Sequence, residues 1–136
     1  MIHIGIDPGT RTGLAAWDDR EKRFLEISTL MIHEAMERVK AYLPAPEGCR
    51  IYVEDARLRK WYGKKGRESL QGAGSIKRDS AIWDDYLKAL GADYRMLPPQ
   101  VGGTKIWDLP FKNLTGWTGK RTSEHARDAA MIVYGR

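Results

Sequence analysis

The chain has 136 residues, of which 42% are hydrophobic and 30% are charged. This composition is typical of a globular protein and unlike that of disordered, collagen-like or coiled-coil chains, and the length predicts a single domain over residues 1–136. The formal net charge of +5 favours a polyanionic partner, although many basic proteins bind no nucleic acid.

The sequence gives no indication of membrane insertion or export. No apolar run approaches the roughly 18 residues of a membrane span, and the chain opens on a strand-like alternation instead of a signal peptide. Cys49 is the single cysteine, so it has no partner for an internal disulfide or a zinc site. We therefore expect a cytoplasmic protein that makes no membrane contact.

Three strands are predicted in the first quarter of the chain. Isoleucines alternate with other residues over 2–7, and Pro8 ends this strand at Asp7. The apolar segments 13–19 and 23–32 predict two further strands joined by a charged turn.

The rest of the chain alternates between helical and strand patterns. In order, a helix, a strand, a helix, a strand and a helix are predicted over residues 33–43, 50–56, 79–91, 93–99 and 123–135. In the second helix, one apolar stripe is expected to contain Ile82, Tyr86, Leu87 and Leu90. Ser123 is the expected N-cap of the last helix.

Residues 57–75 and 100–121 are predicted to be irregular. The order β-β-β-α-β-α-β-α indicates an α/β fold with a five-stranded mixed sheet. In this sheet, three antiparallel strands are extended by parallel strands, and helices flank it.

Asp7 is the first candidate site residue. A carboxylate at the C-terminal end of a central strand lies where α/β sheets bind ligands, and Gly9 and Gly13 are expected to let the backbone turn and approach a ligand. The alternative is a simple β-turn capped by Asp7.

Glu54 and Asp55 end the predicted fourth strand. If this strand lies parallel to the first, its terminal acid comes close to Asp7. Because successive side chains of a strand point to opposite faces, only one of the two acids can face a shared ion. The alternative is an exposed acidic turn.

His125 and Asp128 are three residues apart on the last predicted helix and therefore share a face. Such a pair is also common on solvated helix faces. Together with the two strand-end acids, however, it makes an oxygen-rich group suited to Mg²⁺ or Mn²⁺. A pair of such ions about 4 Å apart can hold the attacking and leaving oxygens of a phosphodiester displacement.

The motifs IGIDPGTRTG near the start, VED in the middle and HARDAA near the end resemble those of the RuvC family of Holliday junction resolvases. The resemblance implies an RNase H-like fold, with Asp7, Glu54 and Asp128 as metal-binding catalytic acids. It also implies that His125 is a metal ligand or orients the nucleophilic water.

The same resemblance implies an activity and its partners. The protein would be a homodimer that nicks branched DNA, above all four-way junctions, in recombination and repair. Two Mg²⁺ ions are expected in each active site, with Mn²⁺ as a substitute, and the products would carry 5′-phosphate and 3′-hydroxyl ends.

The chain departs from the family pattern before its last helix. It is shorter than typical bacterial members, and residues 98–121 align only loosely. Within them, Lys105 is the candidate for a lysine that contacts phosphate or the active site.

Residues 57–67 form a basic segment with no acid. Its side chains suit phosphate neutralisation and base stacking, while the alternative is an ordinary solvated loop. The candidate DNA-binding residues here are Arg57, Arg59, Lys60, Trp61, Tyr62, Lys64, Lys65 and Arg67. By resemblance, Trp61 or Tyr62 would wedge into a junction.

Three other functions compete with junction cleavage. Actin, heat-shock and sugar-kinase ATPases also follow a strand with a D-x-G-T loop, but they need two related domains to enclose a nucleotide. The YqgF group shares the opening motif, and its members are proposed to process ribosomal RNA. A DNA-binding relative without catalysis is disfavoured, because clustered acids repel DNA unless a cation bridges them.

Overall fold

Five strands form one mixed sheet in the computed structural model, which describes residues 1–59, 67–99 and 105–136. The strands are β1 Ile2–Asp7, β2 Arg11–Asp18, β3 Arg23–Met31, β4 Cys49–Glu54 and β5 Tyr94–Leu97. Their order is β3-β2-β1-β4-β5, with β1, β2 and β3 antiparallel and with β4 and β5 added in parallel. The predicted α/β fold with a mixed sheet is therefore confirmed.

Four α-helices accompany the sheet in the described ranges. They are α1 Ile32–Tyr42, α2 Arg67–Ala89, α3 Asp108–Thr115 and α4 Glu124–Val133. A short 3₁₀ turn, Ala56–Leu58, follows β4. No helix of the described ranges is both long and apolar enough to cross a membrane.

Two regions predicted to be irregular contain helices instead. The helix predicted from residue 79 begins at Arg67, and α3 lies inside the segment 100–121. Helix α3 begins after Trp107, which makes no side-chain cap hydrogen bond, and it contains Pro110 in its first turn. Because the usual capping residues are absent there, the sequence pattern does not mark this start.

The alternation along the central strands divides the core in two. On one face, Ile4 and Ile6 belong to a buried cluster with Val39 of α1 and Trp83 of α2. The other face carries Ala15, Trp17 and Tyr52 in a cluster with Phe111 of α3 and the alanines of α4. Helices therefore cover both faces, as side chains of period two require.

The buried stripe of α2 differs from the predicted one. Trp83 and Leu87, four residues apart, are fully buried, whereas Ile82 is 41% exposed. One residue is about 100° around a helix, so the face that buries Trp83 turns Ile82 towards solvent. Tyr86 packs against the same core, and its hydroxyl donates to the Met36 carbonyl.

Candidate active site

Asp7 and Glu54 end two neighbouring parallel strands. Ile6 is paired with Val53 in the register of β1 and β4, so the residues that follow them lie side by side at the same edge of the sheet. They also share a face, since both come one residue after a buried core side chain. The predicted proximity of the two strand-end acids is thus present in the fold.

Glu54, and not Asp55, is the acid that faces Asp7. Asp55 is 1% exposed and accepts hydrogen bonds from the Arg57 backbone amide at 2.9 Å and from the Arg57 guanidinium at 2.7–3.1 Å. It therefore caps the 3₁₀ turn. Glu54 interacts electrostatically with Asp7 and Asp128, which settles the alternative that alternation left open.

Helix α4 brings the remaining two predicted residues to the same edge. Ser123 caps the helix by accepting from the Ala126 amide, as predicted. Two residues later, the His125 Nδ1 is hydrogen-bonded to the Asp7 Oδ2 at 3.0 Å. Asp128 lies nearly one turn further along, and its charge acts on both Asp7 and Glu54.

Burial, more than mutual repulsion, disfavours the charged forms of these three carboxyls. Burial, then the charges of Asp7 and Asp128, raises the pKa of Glu54 from 4.5 to about 7. Burial also raises the pKa of Asp7 despite its bond to His125, and it raises that of Asp128. Removal from water therefore raises these pKa values more than the nearby cations lower them.

These residues fit a divalent cation in the chemistry of their donors. Hard carboxylate oxygens are what Mg²⁺ and Mn²⁺ take as ligands, and a bound cation would favour the charged forms that burial disfavours in these three carboxyls. Within the described residues, no three His, Cys, Asp or Glu side chains are already drawn together as a metal site. Asp7 is instead bonded to His125, so cation binding would require these side chains to rearrange.

Two exposed cations flank the acids. Lys105 forms an ion pair with Glu124, and its charge lowers the pKa values of Asp7 and Asp128 against the effect of burial. Arg59 acts in the same direction on Glu54. Lys105 thus lies on the α4 side of the acids and Arg59 on the β4 side, and a contact of Lys105 with phosphate stays a prediction.

The predicted DNA-binding residues have different placements. Arg57 is not a free cation, because its guanidinium pairs with Asp55 and, at 3.0 Å, with Asp84 of α2. Arg67 is the first residue of α2. Outside the described residues lie Lys60, Trp61, Tyr62, Lys64 and Lys65.

Arg127 and Asp108 are positioning residues that the sequence analysis did not identify. The Arg127 guanidinium donates to the carbonyls of Ile106, at 2.7 Å, and Thr122. The Asp108 carboxylate accepts from the Thr122 amide at 3.0 Å and from its hydroxyl at 2.7 Å. Together they fasten the segment around Lys105 to the start of α4. Only the place of Arg127 within the HARD motif could have pointed to it.

Gly13 has a role other than the predicted one. It was expected to bring backbone close to a ligand, but it lies under α4, where an added Cβ would meet the His125 carbonyl oxygen. Its absent side chain therefore makes room for the helix that carries His125 and Asp128.

Comparison with known proteins gives a match in structure. No family model and no curated protein matches the sequence. The solved structure of T. thermophilus RuvC in complex with a Holliday junction substrate matches with a TM-score of 0.61 and 16% identity, over 99% of this chain and 91% of that chain. At this identity the likeness concerns the fold, and the chain has the RNase H-like α/β fold of RuvC.

Proposed function

We propose that this chain is a metal-dependent endonuclease that nicks branched DNA, with four-way junctions as its main substrate. What supports the proposal is that Asp7 and Glu54 end neighbouring parallel strands side by side, where Asp128 interacts electrostatically with both and His125 is bonded to Asp7. The solved structure of similar fold is of T. thermophilus RuvC with a Holliday junction substrate.

The acids would hold Mg²⁺, or Mn²⁺ in its place, and we propose two ions in each site. When bound, such ions supply Lewis-acid stabilisation of an in-line displacement at phosphorus. The carboxylates would hold these ions, and Asp7 keeps His125 oriented through its Nδ1. The expected products are 5′-phosphate and 3′-hydroxyl ends.

Cations around the acids would contact the flanking phosphates. Arg59 and Lys105 are exposed on opposite sides of the cluster. Lys and Arg side chains that neutralise phosphates supply most of the non-specific affinity for DNA. The basic segment 60–66 continues from Arg59 and is proposed to extend this contact. Because resolution of a symmetric junction needs two cuts, we also propose a homodimer.

Cleavage assays on matched nucleic acids test the proposal. A labelled four-way junction, a linear duplex of the same sequence and a structured RNA are incubated with the protein in Mg²⁺ or in EDTA. We expect Mg²⁺-dependent nicking of the junction alone. Absence of metal-dependent cutting of branched DNA would overturn the proposal, and cutting of the RNA alone would assign the site to RNA processing.

Asp7→Asn is the variant expected to lose cleavage. It removes one carboxylate charge while keeping the shape of the side chain, so cleavage should be lost and junction binding retained. Glu47→Gln is the control, because Glu47 is exposed and precedes β4 at the opposite edge of the sheet from Glu54. An Asp7→Asn variant that cuts at the normal rate would contradict the assignment.

A further inference from the structure

Trp107 is unusually exposed for its size. It is 78% exposed, more than any other large hydrophobic residue in the described ranges. Within those ranges its indole takes part in none of the ring contacts, which instead join His3, Trp17, Phe24 and Trp83 to other aromatic residues. An amphipathic ring that the fold leaves uncovered is available to a partner.

The backbone that carries Trp107 is held firmly. On one side, the Ile106 carbonyl accepts from the Arg127 Nε at 2.7 Å. On the other side, the Trp107 carbonyl accepts from the amide of Phe111, whose side chain is fully buried. The indole therefore projects from a fixed point, so little ordering would be required to use it in binding.

This fixed point is close to the proposed catalytic acids. Lys105 precedes Trp107 by two residues, a span of about 7 Å at most, and it forms an ion pair with Glu124, which is next to His125 in the chain. The Arg127 that holds Ile106 is next to Asp128 in the chain. The exposed ring of Trp107, the exposed Lys105 and the acid cluster therefore lie near one another.

We propose that Trp107 stacks on an unpaired base of the nucleic-acid strand that enters the site, while Lys105 exchanges its ion pair with Glu124 for a neighbouring phosphate. The inference rests on the proposed nuclease function and adds a base-stacking subsite to it. Aromatic faces with adjacent cations are the usual means of binding unpaired strands, and they tolerate any base. At a branch point the stacking of neighbouring pairs is interrupted, so opening a pair to expose such a base costs less there than within a duplex.

Binding measured without cleavage tests the subsite. A junction and a short single strand, each with 2-aminopurine near the branch point or the centre, are titrated in EDTA with wild type, Trp107→Ala and Trp107→Phe. We expect Trp107→Ala to bind the single strand roughly tenfold more weakly and to lose the quenching of 2-aminopurine. Trp107→Phe should retain most of both.

Leu114→Ala is the matched control, because Leu114 is a 49% exposed apolar residue at the far end of the same helix. Wild-type affinity and quenching in Trp107→Ala would overturn the subsite. Loss of self-association in place of DNA binding would also overturn it and would assign Trp107 to an interface between copies. If wild type binds and quenches but never cuts, the nuclease proposal fails while the stacking result stands.

Discussion

Gly13 of β2, which pairs with Asp7 in the sheet, is in backbone contact with His125 of α4. A Cβ atom on Gly13 would lie 2.0 Å from the His125 carbonyl oxygen, and one on Gly5 would lie 2.1 Å from that of Ala129. These two glycines let α4 lie close enough to the sheet for His125 to reach Asp7. The geometry of the acid cluster thus depends on residues that have no side chain.

Gly13→Ala should therefore disturb both stability and catalysis. The added methyl group meets backbone, which cannot move aside as a flexible side chain would, so α4 has to shift. We expect a loss of about 1–3 kcal/mol in the free energy of unfolding and a strong loss of junction cleavage. Urea denaturation and single-turnover cleavage measure the two effects.

Gly74→Ala is the control for this substitution. Gly74 lies in α2 with nothing within 4 Å of an added Cβ, so the change should be neutral or stabilising by up to about 1 kcal/mol. Equal effects of the two substitutions on stability would show that the contact with His125 is not what matters at Gly13.

The raised pKa of Glu54 predicts a pH-dependent stability of the metal-free protein. With a pKa of about 7 in the folded state against 4.5 ordinarily, the folded protein binds this proton more tightly than the unfolded chain does. The stabilisation is complete below pH 4.5 and is lost as the pH rises through 7. Glu54→Gln has no proton to lose, so its free energy of unfolding should rise relative to that of wild type between pH 5 and pH 8.

We expect this gain to be about 1–2 kcal/mol, because the carboxyl is partly exposed and solvent screens its charge. Urea denaturation in EDTA at both pH values measures it. In an Asp7→Asn background the gain should be smaller, since one of the charges that raise the pKa of Glu54 is gone. A difference between Glu54→Gln and wild type that is the same at both pH values would contradict the prediction.

Much of the fold and site follows from local sequence patterns. Alternation and the break at Pro8 end β1 at Asp7. The helix predicted between β3 and β4 indicates a crossover connection, and such a connection places β4 parallel to β1. These two features place Glu54 beside Asp7. The spacing of His125 and Asp128 on one helix then adds the other two side chains.

The remaining features depend on contacts between distant residues. Arg57 follows β4 in a basic segment, but its pairing with Asp84 joins residues far apart in the chain. The contact of Gly13 with α4 involves only backbone. Helix α3 is short, yet it is held by the burial of Phe111 and by the bonds of Asp108 to Thr122. Local propensity contains none of this information.

Arg57 and Arg59 should differ in what they do, although both were predicted to bind DNA. Arg57→Ala leaves the buried Asp55 carboxylate without its guanidinium partner, so the free energy of unfolding should fall by about 2–4 kcal/mol. Arg59→Ala should leave thermal unfolding unchanged. It should weaken junction binding and reduce the salt dependence of the affinity by about one counterion.

Thermal unfolding and junction titrations over a range of salt concentrations distinguish the two roles. Arg57→Lys is a useful intermediate, because an ammonium cannot reproduce the paired bonds to Asp55 and Asp84. It should keep the charge but recover only part of the stability. If Arg57→Ala unfolds like wild type and binds DNA poorly, the original interpretation of Arg57 as a DNA contact is restored.

His125 is expected to matter for the chemical step more than for binding. Its Nδ1 holds Asp7, and its ring is 54% exposed beside the acids, where substrate can reach it. His125→Ala should lower the single-turnover cleavage rate by about 10²–10³-fold with junction affinity in EDTA unchanged. His125→Asp should recover part of the rate at high Mg²⁺, since a carboxylate in the first turn of α4 is a hard oxygen ligand favoured at a helix N-terminus. Rates measured across Mg²⁺ concentrations separate the two variants, and a wild-type rate in His125→Ala would exclude a part for this ring in the reaction.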